Sequence, residues 1–223
     1  MKTNKQLYIK IFFFLVLCNI SFGQNTILRS TSGFALFTSE GGIFNIGKSF
    51  IAGDIGTANG LVNNFSSGII LGQVYVENAT SMQTVKDIVL ANKSFDSLKC
   101  GIVIKPTLGN NQNLTANVYC INSDASLHGD LILDGRNDTS AVFIFKIEGG
   151  FSSSSFSNIK MINGASLWNV YWQIDGKVIL GDQSVFRGTF LATGAISLLE
   201  GATLLGRGIT SKGNITLNNN III

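Results

Sequence analysis

The chain has 223 residues, 13% charged and 45% hydrophobic, with 25 glycines and a single proline, which excludes a disordered tail, a collagen and a charged coiled coil. Its formal charge is +3, but Lys2, Lys5 and Lys10 lie in an N-terminal leader without acids, so the remainder is formally neutral. Nucleic acid and anionic membrane surfaces select a cationic excess, so neither is an expected partner.

Residues Met1 to Gly23 have the layout of a secretory signal: lysines in front, an apolar run from Ile11 to Cys18, then a polar exit to Gly23. The run is too short to span a bilayer. Cys18 follows Leu17 rather than the small residue that lipid attachment prefers, so simple export is expected, with a single domain over residues 24–223. Cys100 and Cys120 remain in a chain sent to an oxidising compartment, and a disulfide between them is expected; the alternative is a pair of buried free thiols. Two cysteines and one histidine fall short of the four ligands of a structural zinc site.

From Asn78 to Leu98, Met82, Val85, Ile88, Val89, Leu90 and Phe95 approach the spacing of an amphipathic helix, with Thr80 or Ser81 as its N-cap. The helix is expected over about 78–98, with Lys86, Asp87, Lys93 and Asp96 on its solvated side. The stretch Gly101 to Asn117 reads as a loop tied near both ends by the cysteines, and residues 99–120 are expected to cap the helix region. Ser152 to Ser155 reads as a turn with small outward side chains. Asp124, Asp130, Asp134 and Asp138 lie in a turn-rich stretch and are expected to be turn formers. His128, the sole histidine, is expected at the surface or in a satisfied position. The acids match no calcium loop, and no phosphate loop, zinc-protease motif or serine elbow occurs.

The C-terminal half is periodic. Gly176-Lys177-Val178-Ile179-Leu180 recurs as Gly194-Ala195-Ile196-Ser197-Leu198 and as Gly213-Asn214-Ile215-Thr216-Leu217; Val185-Phe186-Arg187-Gly188 recurs as Thr203-Leu204-Leu205-Gly206. Several short alternating strands per repeat indicate the coils of a β-solenoid. Parity places Phe186, Leu204 and Ile222 inward and Val185, Thr203 and Ile221 outward. Val178, Ile196 and Ile215, with Leu180, Leu198 and Leu217, form further inward columns, leaving Ser197 and Thr216 outward.

Taken together, Leu28 to Leu36, Leu131-Ile132-Leu133-Asp134-Gly135, Ala141-Val142-Phe143-Ile144-Phe145, Asn169-Val170-Tyr171-Trp172-Gln173 and the Gly201 to Leu217 coil resemble the secreted ice-binding (antifreeze) proteins of bacteria and fungi. The resemblance covers the whole chain after the leader. It implies a mainly β fold, a discontinuous right-handed β-solenoid with one long α-helix packed alongside; the family's disulfide beside the helix agrees with Cys100 and Cys120.

In that family a flat solenoid face meets ice through coils of the form Thr-Ala/Gly-x-Thr/Asn. Hydroxyls and methyls repeating at the coil rise of about 4.8 Å can hold water in an ice-like arrangement. The corresponding positions are Ser155-Phe156-Ser157-Asn158, Asp182-Gln183-Ser184-Val185, Glu200-Gly201-Ala202-Thr203 and Asn218-Asn219-Asn220-Ile221. Ser155, Ser157, Asn158, Ser184, Val185, Thr203, Asn218, Asn220 and Ile221 are therefore the candidate ice-binding residues. Asp182 and Glu200 put carboxylates where the motif has threonine, and Val185 and Ile221 lack the closing hydroxyl. Three readings stay open: weak ice binding, binding through another face, or a scaffold that has lost the activity.

The implied function is a secreted, monomeric, non-enzymatic protein whose partner is the ice crystal surface and which needs no cofactor. One rival is an adhesin-like module binding protein or glycan through the exposed apolar column of Val185 and Ile221, with Leu205 and Ile223 alongside. Another is a β-helix carbohydrate-active enzyme using Asp130 and Asp134.

Overall fold

The computed structural model describes residues 27–223. The leader expected over residues 1–23 lies outside them. All strand pairs are parallel, and they stack as a solenoid with three sheet faces.

The coils do not follow one another simply in the chain. The first strands, Phe34–Thr38, Ile43–Ile46, Phe50–Ala52 and Asp54–Thr57, with Val62–Asn63, Ile69–Leu71 and Val74–Val76, build one end of the stack. The helix Ala79–Asp96 then carries the chain to the opposite end, where Ile102–Val103 begins a second series of coils. That series winds back until Thr203–Thr210 pairs with Phe34–Thr38, Leu36 opposite Gly208, and Ile221–Ile222 pairs with Phe50–Ala52. The solenoid is thus discontinuous, and its two series close on each other through main-chain hydrogen bonds.

Two long strands, Val185–Ala192 and Thr203–Thr210, turn a corner and join two of the faces into one sheet. Gly188 and Gly206 make these corners with φ of 111° and 140°. A Cβ on Gly206 would lie 2.0 Å from the Gly188 carbonyl oxygen, so this corner requires glycine both for conformation and for space.

The interior is aliphatic and aromatic, and the inward columns fall where parity puts them: Phe186, Leu204, Ile222, Val178, Ile196, Ile215, Leu180, Leu198 and Leu217 are all buried. One aromatic row runs along the axis. Tyr119, Phe145, Trp172 and Phe190 are register partners on successive strands, and the Phe145 and Trp172 rings stack at 3.8 Å. Parallel in-register stacking brings like side chains into contact at each step, so every coil contributes to one continuous core.

A second, smaller core lies between the helix and the outer side of the sheet that carries Phe34–Thr38 and Val170–Ile174. Phe37, Tyr171, Leu191 and Ile209 face outward there and are covered by Ile88, Ala91 and Phe95. The helix begins with a capping box in which Asn78, not Thr80 or Ser81, is the N-cap: its side chain accepts from Ser81 N–H while the Ser81 hydroxyl accepts from Asn78 N–H. The buried stripe is also more polar than its periodicity suggests. Met82, Val89 and Leu90 are exposed, whereas Ser81, Thr84 and Asp87 are buried. Asp87 leaves its expected solvated side because its carboxylate accepts from Ser30 Oγ at 2.5 Å, tying the helix to the N-terminal turn.

The stretch expected as a loop after the helix is a coil in its own right, with strands Ile102–Val103, Thr107–Gly109, Gln112–Thr115 and Asn117–Ile121 pairing into all three faces. Its Pro, Gly and Asn residues occupy the corners between strands rather than an irregular segment. The Cys100–Cys120 disulfide is formed. It closes this terminal coil, and a loop of its size contributes about 3 kcal/mol through the unfolded chain.

Candidate functional site

Of the three faces, one is partly covered by the helix. The other two meet solvent, along a shared corner on which the motif residues lie. At that corner Phe156, Gln183, Gly201 and Asn219 have φ of 60°, 54°, 66° and 51°, a left-handed kink that sends the next side chain inward. Ser157, Ser184 and Asn220 consequently point into the solenoid, exposed by 2% or less. Ser157 Oγ donates to the Leu127 carbonyl, Ser184 Oγ to Gly181, and Asn220 Nδ2 to both Leu199 and Ala202. These three candidates are corner fasteners: buried acceptors need donors, and a hydroxyl inside the coil cannot touch a crystal.

The outward candidates are brought together on one ladder. Asn158, Val185, Thr203 and Ile221 are direct register partners, flanked by Asp130 at one end and by Phe50 and Ile69 at the other. The row outside it runs Leu71, Ala52, Ile223, Leu205, Arg187, Lys160 and Ile132. This mixed face is therefore apolar at one end and charged at the other. Arg187 Nη1 donates to Asn158 Oδ1 and the Ile159 carbonyl, and Lys160 forms a 2.6 Å ion pair with Asp130. Burial lowers the Arg187 pKa from its ordinary value. Ser155 and Asn218 stand at the corner, beside the exposed carboxylates Asp182 and Glu200. Asp182 Oδ1 accepts from Glu200 N–H and Glu200 Oε1 from Asn219 Nδ2.

The second solvent face has a different character. Its eight strands are Val62–Asn63, Ile43–Ile46, Ile215–Asn218, Ile196–Leu198, Val178–Leu180, Phe151–Ser153, Ala125–His128 and Thr107–Gly109. Not one of them contains Asp, Glu, Lys or Arg. The central outward side chains form one column in unbroken register, Thr107, Ser126, Ser152, Ile179, Ser197, Thr216, Phe44 and Asn63, with His128, Asn218 and Ile46 in a partial outward row beside it. Five of these carry a hydroxyl, and Thr216 Oγ1 donates to Ser197 Oγ at 3.1 Å. At the strand spacing of a sheet the column is about 34 Å long.

The sequence places Ser197, Thr216 and Ser152 outward but not the rest of this column; Ser152 and Ser153 lie on the strand Phe151–Ser153 rather than in the expected turn, and Ser153 points inward. The signal was the repeat itself, which steps by 18 or 19 residues near the C-terminus. It lengthens to 26 residues between His128 and Ser154, so the earlier members fall out of alignment.

Of the four expected turn formers, Asp134 and Asp138 act as such, whereas Asp130 opens a strand and Asp124 bonds to a neighbouring coil. Asp134 Oδ1 accepts from Arg136 N–H and Asn163 Nδ2, and Asp138 Oδ1 from Ser140 N–H and Oγ. The Arg136 backbone bond for one and the Ser140 hydroxyl for the other lead the causes that hold both carboxyls below their ordinary pKa. Asp124 accepts from Gly150 N–H, and Asp130 is paired with Lys160. A groove beside the disulfide gathers Asp96, Glu148, Asp175 and Lys146. There desolvation, followed by the like charges of Asp96 and Glu148, raises the pKa of Asp175. Among the described residues no group of three or more His, Cys, Asp or Glu is arranged to hold a metal, and no helix is long and apolar enough to cross a membrane.

Comparison with known proteins gives this architecture a family. The chain is 30% identical over 190 residues to an ice-binding protein of Nostoc sp., an alignment that takes in 80% of this chain and 66% of that protein. The crystal structure of an ice-binding protein from the Antarctic ascomycete Antarctomyces psychrotrophicus superposes with a TM-score of 0.84 at 31% identity, over 87% of this chain and 96% of that one. That of an ice-binding protein from an Antarctic Flavobacteriaceae bacterium also gives 0.84, at 36% identity, over 87% of this chain and 46% of the other. The Ice-binding-like family pattern matches residues 37–223, and the chain belongs to that family.

Proposed function

We propose that the protein adsorbs to ice and restrains crystal growth or recrystallisation, and that the contact surface is the uncharged eight-stranded face. The observation that carries this is the column from Thr107 to Thr216 on a sheet whose strands contain no charged residue. A charge orders water around itself; a stiff row of hydroxyls and methyl groups at coil spacing lets bound water take up the order of the crystal. Asn218 lies on this face, beside Thr216, and Thr203 stands just over its corner. Adsorbed molecules pin the ice front, so that ice bulges between them and the curvature lowers the local freezing point.

A second reading places the contact on the ladder Asn158, Val185, Thr203 and Ile221, and its support is the continuous register of those four residues. Arg187, Lys160 and Asp130 on the same sheet weigh against it. Export as a monomer without cofactor or catalytic role accompanies either reading. It is supported by the leader pattern before Gln24, the disulfide, and the engagement of Asp130 and Asp134 in an ion pair and a turn.

Ice-affinity partitioning tests both readings: a polycrystalline front is grown slowly through a dilute solution, and protein is assayed in ice and liquid. The expected result is strong incorporation of the wild type and a severalfold loss in Ser197→Tyr, with Thr203→Tyr less affected. Loss confined to Thr203→Tyr transfers the contact to the mixed face. Exclusion of the wild type to the level of an inert control overturns ice adsorption altogether.

A further inference from the structure

His128 is the chain's only histidine, and it stands on the uncharged face. It closes the strand Ala125–His128, opposite Gly109, in the outward row next to the hydroxyl column. Its ring is exposed and held from both sides by hydroxyls: Nδ1 lies 2.6 Å from Ser154 Oγ, and Nε2 lies 3.2 Å from Ser126 Oγ. Ser126 is a member of the column itself, so the ring is hydrogen-bonded directly into the array proposed to order water.

A hydroxyl can donate or accept. The same three side chains therefore satisfy a neutral imidazole, with one ring nitrogen donating and one accepting, and an imidazolium, with both donating. Protonation needs no rearrangement of the strand. What changes is the charge, and nothing on the face offsets it. The ring's own strand presents Ser126, the strand on one side Thr107 and Gly109, and the coil on the other side Ser152 and Ser154. None of the carboxylates at the flanking corners bonds to the ring: Asp130 pairs with Lys160 on the mixed face, and Asp182 and Asp124, still charged, accept from the Glu200 and Gly150 backbone N–H groups.

We propose that His128 makes ice adsorption pH-sensitive: the imidazolium places a single unpaired cation on an otherwise uncharged hydroxyl face, and this weakens the hold on ice. The proposal rests on the reading of that face as the ice-contacting surface. Histidine side chains ordinarily change charge between about pH 5 and pH 8, so the sign is fixed. Adsorption is strongest at the alkaline end of that window and falls as pH is lowered through it.

The test is ice-affinity partitioning of the wild type, His128→Gln and His128→Arg at about pH 8 and pH 5, with circular dichroism at both to show that the solenoid is intact. The quantity read is each protein's ratio of incorporation between the two conditions, whatever its absolute level. The wild-type ratio is expected to be at least about threefold in favour of the alkaline condition. His128→Gln should show a ratio near one. His128→Arg, permanently charged, should also show a ratio near one, at the low level of the acidic wild type.

Equal, strong wild-type incorporation at both pH values overturns the proposal and leaves ice adsorption standing. So does a pH dependence that persists in His128→Gln, which would trace it to carboxylates such as Asp175. Exclusion from ice under every condition overturns the adsorption reading and this inference with it.

Discussion

At the scale of single residues, this solenoid's polar groups are mostly fasteners. Ser157, Ser184 and Asn220 are spaced like surface motif residues, yet each is turned inward by the left-handed residue or tight corner before it. Asp87 shows the same effect on the helix, where bonds from the Ser30 hydroxyl and backbone N–H and from Gln83 Nε2 replace the water a carboxylate prefers. Asp175 is the opposite case, an acid whose surroundings disfavour its charge through desolvation and the like charges of Asp96 and Glu148. A carboxyl with a raised folded pKa binds its proton more tightly folded than unfolded, so stability falls as pH rises from the unfolded pKa through the folded one. Asp175→Asn removes that penalty. Thermal unfolding should show a higher Tm than wild type at neutral pH, and the difference should vanish below about pH 4, where the unfolded carboxyl is protonated too.

At the scale of elements, the corners matter as much as the strands. The long strand Thr203–Thr210 serves two faces only because Gly206 allows it to bend with its Cα against the Gly188 carbonyl. Gly206→Ala should cost more than about 2 kcal/mol in denaturant unfolding, or prevent folding, because both φ and space are violated. Gly33, where an added Cβ meets nothing within 4 Å, is the matched control, and Gly33→Ala should leave the midpoint nearly unchanged. Equal effects at the two positions would refute this account of the corner. The helix illustrates how far element reading goes: its bounds, Ala79–Asp96, fall inside the 78–98 expected from periodicity. Its buried stripe does not follow from periodicity, because part of its covering role is polar and directed at a turn that lies distant in sequence.

For the whole molecule, the decisive feature is the seam where the last coils pair with the first. Leu36, Phe37 and Thr38 lie opposite Gly208, Ile209 and Thr210, and Ile222 lies opposite Ile51. The helix is buried against strands of both series at once, with Phe37 from the first and Tyr171, Leu191 and Ile209 from the second. Repeat arrays can unfold piecewise from an end, but here the N-terminal coils cannot separate without exposing Ile209 and the helix stripe. Calorimetry should therefore give one cooperative transition, with calorimetric and van't Hoff enthalpies in agreement. Ile209→Ala should lower the Tm without splitting it, at a cost of about 2–5 kcal/mol. A second, lower transition in either protein would show that the seam does not couple the two series.

Local chemistry alone specified the repeating C-terminal coils, the existence of the helix and the disulfide partners, because strand parity, helical periodicity and a cysteine pair act over a few residues and need no partner to be read. The inward columns through Phe186, Leu204 and Ile222 follow from that parity. The uncharged hydroxyl face does not. Its members come from coils of unequal length and from two chain segments separated by the helix, Thr107 to Thr216 on one side and Phe44 and Asn63 on the other. Only hydrogen-bonded stacking brings them into one column. The corner φ values likewise decide which motif side chains see solvent, since a single left-handed residue reverses the alternation on which any reading by parity depends.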